Sequence, residues 1–154
     1  MQDGRPIRYF ADEISELDRR RFTAERDDPR FITVWESLAI LVALRLWLVK
    51  TSRMTRVEIK SDSLSAIKAL ERGTSRAKPI NAVIREIALT EALHGAPLPI
   101  VRHIPGVANV VPDALSRLSA PRPSLLPETL SGVIRSWPPI RDGSFWPTAT
   151  NCVK

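Results

Sequence analysis

The stretch that most constrains the fold is His103-Ile-Pro-Gly-Val-Ala-Asn-Val-Val-Pro-Asp-Ala-Leu-Ser-Arg117. The apolar run 97–104 reads as a strand, and Pro105-Gly106 breaks it with a turn. Asn109 is placed to cap a short helix over 109–118 that carries Asp113, Ala114, Leu115 and Leu118. A histidine at a strand end and a carboxylate at a helix start are thus expected on either side of one loop. Such a corner does chemistry only if further carboxylates from the rest of the chain reach it.

Asp3-Gly4 is a hairpin turn signal, and residues 6–11 read as the strand that follows it, although only Met1 and Gln2 precede the turn. Residues 12–29 are strongly charged and aperiodic, which predicts a long loop with at most a helical turn. Thr33-Val-Trp-Glu36 is a capping-box pattern: the Thr33 hydroxyl can cap a helix while Glu36 reaches back. Trp35, Leu38, Ala39, Leu41, Val42, Leu46 and Val49 then form the stripe of a heavily buried helix. Residues 55–61 alternate Val57 and Ile59 against Arg56, Glu58 and Lys60, a strand pattern, and Asp62 stands at its C-terminal end. A helix through Leu64, Ile67 and Leu70 stops at Gly73, and another begins near Pro79 and stops at Gly95. Strands alternating with helices in this order predict an α/β layer fold.

From Ser119 the text changes, with prolines at 121, 123, 127, 138, 139 and 147 among only 13 in the chain. This predicts a body over 1–118 and a Pro-rich, largely disordered tail over 119–154, its tryptophans packing back weakly or not at all. Asp12, Glu13, Glu16 and Asp18 are expected to be exposed and paired with Arg19 to Arg21, and Asp27-Asp28 to form a solvated turn. The net charge of +6 favours a polyanionic partner. A single cysteine, Cys152, excludes a disulfide framework and makes a reducing compartment the default. The run 38–49 is interrupted by Arg45 and is too short for a membrane span, and the N-terminus has no apolar signal region. An intracellular chain, cytoplasmic or nuclear, with no membrane contact is the expectation.

The run from His103 to Arg117 resembles the closing motif of the ribonuclease H domain of retroelement polyproteins, in which a His-x-Pro-Gly loop leads into an Asp-Ala-Leu-Ser-Arg helix. The resemblance extends over residues 2 to 118. Trp-Glu-Ser-Leu-Ala-Ile-Leu around Glu36 is similar to the family's helix bearing its second carboxylate, and Lys-Ser-Asp-Ser around Asp62 is similar to the end of its fourth strand. The resemblance implies a ribonuclease H-like fold and Mg²⁺-dependent hydrolysis of the RNA strand of RNA–DNA hybrids. It implies Glu36, Asp62 and Asp113 as ligands of a two-metal site, and His103 as the family's mobile histidine, which assists product release or proton transfer. Other modules of a polyprotein are implied as partners.

The chain departs from that pattern at its start. Residues 2–11 resemble the family's turn and third strand. The first two strands are missing, and with them the Asp of an Asp-Ala-Ser motif that bridges both metals. The expected fold is therefore a ribonuclease H-like one lacking its first two strands, with the parallel pair 55–61 and 97–104 separated from 6–11 and showing an open edge. Catalysis is expected to be impaired. The competing expectation is a non-catalytic retroelement remnant that binds nucleic acid through a basic surface. Taken singly, Glu36 and Asp62 also suit helix caps, Asp113 a first-turn acid favoured by the helix dipole, and His103 a loop histidine.

Overall fold

The computed structural model describes residues 5–48, 57–95 and 99–147. They form two compact units: a smaller one from Met1–Glu13 and Pro105–Pro138, and a larger one from Ile14–Ile104 and Pro139–Lys154. The fold therefore does not divide at residue 118. Each unit draws on two stretches of chain, and the proline-rich region contributes to both.

The larger unit begins with α1 (Glu16–Phe22), where a loop was expected. Its signal is a capping box that the charge density concealed. Ser15 Oγ accepts from the Asp18 amide, and the Asp18 carboxylate accepts from the Ser15 amide at 2.8 Å. Asp28 caps a 3-10 turn over Pro29–Phe31, its carboxylate accepting from the Arg30 amide and pairing with the Arg30 side chain. This turn runs directly into α2 (Ile32–Trp47). The helix consequently starts before Thr33, and the expected Thr33–Glu36 capping box does not form: Phe31 occupies the cap position, without a side-chain cap. Val34, Ser37, Leu38, Ile40, Leu41, Val42 and Leu44 are buried, so α2 is the core helix, although Ala39 faces out. Val49, the expected end of its stripe, lies outside the described residues.

β2 (Glu58–Ser61) pairs in parallel with β3 (Ile100–His103), with Ser61 opposite His103. Residues 55–56 and 97–98 of the two expected strands lie outside the described residues. Between them run α3 (Leu64–Arg72) and α4 (Lys78–His94). Both end where glycine was expected to stop them, Gly73 at φ 65° and Gly95 at φ 57°, a left-handed conformation that costs a side-chain-bearing residue energy. α2 packs chiefly on α4 and also on α3, and α3 covers β3. Val83, Ile84 and Ile87 of α4 and Ala66 and Ile67 of α3 complete the core.

Residues 139–147 correct the expectation of a disordered tail, because they belong to this core. Arg141 forms a buried two-pronged pair with Asp18: its Nε lies 2.8 Å from Oδ1 and its Nη2 2.8 Å from Oδ2. Asp18 is fully buried, not part of an exposed charged stretch. Phe145 and Trp146 are buried too, with Trp146 edge-on to Phe22 at 5.5 Å and beneath the Arg21 guanidinium at 4.3 Å. Arg45 joins the two ends of the unit, pairing with fully buried Glu86 at 2.8 Å and donating to the Phe145 carbonyl. Burial pushes the Arg45 and Arg21 guanidinium pKa values down, and the Glu86 carboxylate opposes the shift in both.

In the smaller unit, β1 is only Arg8–Tyr9, and it pairs in parallel with β4 (Ile134–Arg135). The Ser136 amide donates to the Tyr9 carbonyl at 2.7 Å and extends the pairing. The expected Asp3-Gly4 hairpin turn lies outside the described residues. α5 (Val110–Ser116) follows a 3-10 turn over Gly106–Ala108. Asn109 holds the cap position as expected, yet its side chain makes no capping bond. Leu130 is buried, whereas Trp137 is exposed and lies against the Arg135 guanidinium at 4.2 Å. Among the described residues no helix is long and apolar enough to cross a membrane.

Candidate functional site

Asp62 sits where β2 turns into α3. Ser61 Oγ accepts from the Ser63 amide at 3.1 Å, and Ser63 Oγ caps α3 by accepting from the Ala66 amide at 3.3 Å. Two serines therefore fix the corner. Asp62 is relieved of capping, which was its ordinary alternative use, and its exposed carboxylate has no hydrogen-bond or ion-pair partner among the described residues. His103 ends the neighbouring strand opposite Ser61, and the Ile104 amide donates to the Ser61 carbonyl at 2.9 Å. Asp62 and His103 thus share the C-terminal edge of a parallel strand pair, the end at which α/β sheets bind ligands.

Glu36 lies in the first turns of α2, half-buried. Because the capping box does not form, its carboxylate also has no partner among the described residues. α2 packs against α3, the helix that leaves directly from Asp62. Asp113 belongs to the smaller unit, on α5, and there it pairs with Arg117 one turn on, at 3.0 Å. No family model, curated protein or solved structure matches the chain.

Mg²⁺ takes near-octahedral oxygen coordination, normally from one or two carboxylates plus water and substrate phosphate. Glu36 and Asp62 have the right chemistry and are uncommitted among the described residues, whereas Asp113 is engaged by Arg117. Among the described residues no three His, Cys, Asp or Glu side chains gather into a metal-holding group.

A second cluster escaped the reading of the sequence. Between Ser63 and Arg85 stand Lys68, Arg72, Arg76, Lys78 and Arg85 against one acid, Glu71. All five cations are exposed, and none has an ion-pair partner among the described residues. Most other described cations of the larger unit are matched: Arg19 and Arg20 to Glu16, Arg30 to Asp28, Arg45 to Glu86, Lys60 and Arg102 to Glu58, Arg141 to Asp18, while Arg21 lies over the Trp146 ring and Arg26 stands alone among the described residues. Lys68 and Arg72 are one turn apart on α3, and Lys78 and Arg85 two turns apart on α4, so each pair shares a helix face. Lys78 even lies in the first turn of α4, where the helix dipole disfavours a cation and where Ala77 supplies no side-chain cap. That placement does nothing for the helix and suits an external anion. The signal was available as a local excess of basic residues, but the overall charge of the chain masked its position. A cleft of about 310 Å³ lined by Thr23, Arg30, Phe31, Val34, Ala77, Pro79 and Ile80 opens nearby on the same unit, and none of Glu36, Asp62, His103 or Asp113 lines it.

Proposed function

We propose that this chain binds nucleic acid along its phosphate backbone, using the basic α3–α4 surface, and that hydrolysis is weak or absent. The observation that carries the reading is the group of five exposed cations at Lys68, Arg72, Arg76, Lys78 and Arg85, which have no ion-pair partner among the described residues. The resemblance to retroelement ribonuclease H domains supports an RNA–DNA hybrid as the ligand, recognised through shape and phosphate contacts. Other modules of such a polyprotein are compatible neighbours.

Counterion release gives the expected magnitude. Five phosphate contacts on a duplex correspond to a slope of about −4.5 in log K against log salt, or roughly a 500-fold loss of affinity between 50 and 200 mM salt. Fluorescence anisotropy with a labelled hybrid measures this. Replacing Lys68, Arg72 and Lys78 together by Gln should flatten the slope by about 2.7. Binding that is independent of salt, or unchanged in the triple variant, overturns the reading.

A second reading, an Mg²⁺-dependent endoribonuclease, is favoured by one observation: the uncommitted carboxylates of Glu36 and Asp62. The same hybrid incubated with Mg²⁺ separates the two readings. Efficient cleavage that is abolished by Asp62→Asn, with binding retained, establishes the enzyme.

A further inference from the structure

The ladder between β2 and β3 fixes which backbone groups are used and which are left. The Ile100 amide donates to the Val57 carbonyl at 2.9 Å, and the Ile104 amide to the Ser61 carbonyl at 2.9 Å. In a parallel pair, alternate residues of each strand face the partner. The Val57 carbonyl and the amides and carbonyls of Ile59 and Ser61 therefore face the β3 side, while those of Glu58 and Lys60 point to the other edge of β2. Among the described residues no strand pairs there, because the sheet consists of β2 and β3 alone. An open edge of this kind is a template for another strand.

The side chains on that edge select the occupant. A second copy can pair antiparallel with β2 about a two-fold axis through Ile59. Each Glu58 then lies directly opposite Lys60 of the other copy, and each Lys60 opposite the other Glu58. These are the residues whose backbone groups point outward, so both positions are hydrogen-bonded pairs, and Ile59 meets its own counterpart between them. Opposite charges directly across a ladder stabilise it, and like charges destabilise it. Registers that place Glu58 against Glu58, or Lys60 against Lys60, are disfavoured, so charge singles out the Ile59-centred register within the strand. β3 shows the contrast. Its outward residues are Val101 and His103, and a two-fold pairing through them sets Arg102 against Arg102. One edge of the sheet is self-complementary, whereas the other offers no pair of opposite charges in any two-fold register.

Within one chain, Glu58 lies near Lys60 at 3.6 Å and also pairs with Arg102. All three side chains are exposed on the same open face of the sheet. The carboxylate can therefore be shared with a second lysine across the axis without leaving its own sheet face.

We infer that β2 is a dimerisation strand: two copies of this chain join antiparallel through Glu58–Ser61 into a continuous four-stranded sheet of order β3-β2-β2-β3. Closed two-fold symmetry makes the contact self-limiting and prevents the open-ended growth that exposed edges invite. The strand is short, so the association is expected to be weak and concentration-dependent.

Sedimentation equilibrium of the full 154-residue chain tests this, over loading concentrations from tens of micromolar to about a millimolar. Reversible monomer–dimer behaviour is expected. Glu58→Lys alone, or Lys60→Glu alone, places like charges across the axis and should weaken dimerisation at least tenfold. The double variant Glu58→Lys/Lys60→Glu restores opposite pairs and should bring the constant back to within about threefold of the original. It also leaves a glutamate at 60, opposite Arg102 in the β2–β3 register, so the fold keeps an internal ion pair. Lys60→Pro removes only an outward-pointing amide and should abolish the dimer while circular dichroism stays unchanged. A monomer at every concentration overturns the inference, and so does a dimer indifferent to the single reversals or not rescued by the double one.

Discussion

Arg141→Met isolates the contact that anchors the C-terminal segment. The methionine keeps most of the apolar stem and removes the guanidinium, leaving the Asp18 carboxylate buried with no counter-charge from residue 141. Breaking a buried pair by deleting one partner costs about 3–5 kcal/mol. Asp18 keeps its bonds from the Ser15 amide at 2.8 Å and the Ser15 hydroxyl at 2.7 Å, which places the expected loss at the lower end, about 3 kcal/mol. For a chain of this length that corresponds to a fall in Tm of roughly 6–12 °C. A thermal melt at pH 7, supported by urea unfolding, reads it directly. The double variant Asp18→Asn/Arg141→Met should be more stable than the sum of the single losses, with a coupling of about 2 kcal/mol, because it no longer strands a charge. A buried pair is also poorly screened, so the loss should persist in high salt. A change within about 0.5 kcal/mol, the range of exposed surface positions, would falsify the docked segment.

Trp146→Ala removes a fully buried ring packed on Phe22 and Phe145 and should cost about 3–5 kcal/mol in the same melts, whereas Trp137→Ala, at an exposed ring, should cost little. Gly73→Ala meets open space but holds φ at 65°, so urea unfolding should show a loss of about 1 kcal/mol from backbone strain alone; Gly73→Asn should lose less. Burial raises the Glu91 carboxyl pKa. Its folded value then exceeds its unfolded one, and the stability tied to the protonated form is lost as pH rises through the folded pKa. Glu91→Gln should therefore melt higher than the parent chain at pH 7, and the difference should vanish below about pH 4, where both side chains are neutral.

The elements that were legible in the sequence are those whose signals are local. Period-two alternation at Glu58-Ile-Lys-Ser61 marked β2, and Gly73 and Gly95 marked helix ends because a left-handed residue is needed there whatever the helix packs against. The candidate carboxylates were legible as positions, Glu36 on α2 and Asp62 at the end of β2, but their state was not. Both were equally readable as helix caps. The structure gives the α3 cap to Ser63 and starts α2 one residue before Thr33, and this is what leaves the two carboxylates uncommitted.

What the sequence determined by itself is therefore the set of short-range choices: capping, turn and periodicity act within a few residues and need no partner from afar. What only the tertiary structure decided is the use of charge and proline at long range. Asp18 looked solvated because arginines follow it in sequence, yet it is buried against Arg141, far along the chain. Residues 139–147 looked disordered because prolines and polar residues surround Phe145 and Trp146, yet both aromatics lie in the core. No local pattern encodes either result. A buried ion pair and a docked aromatic depend on desolvation by segments that meet only when the chain has folded.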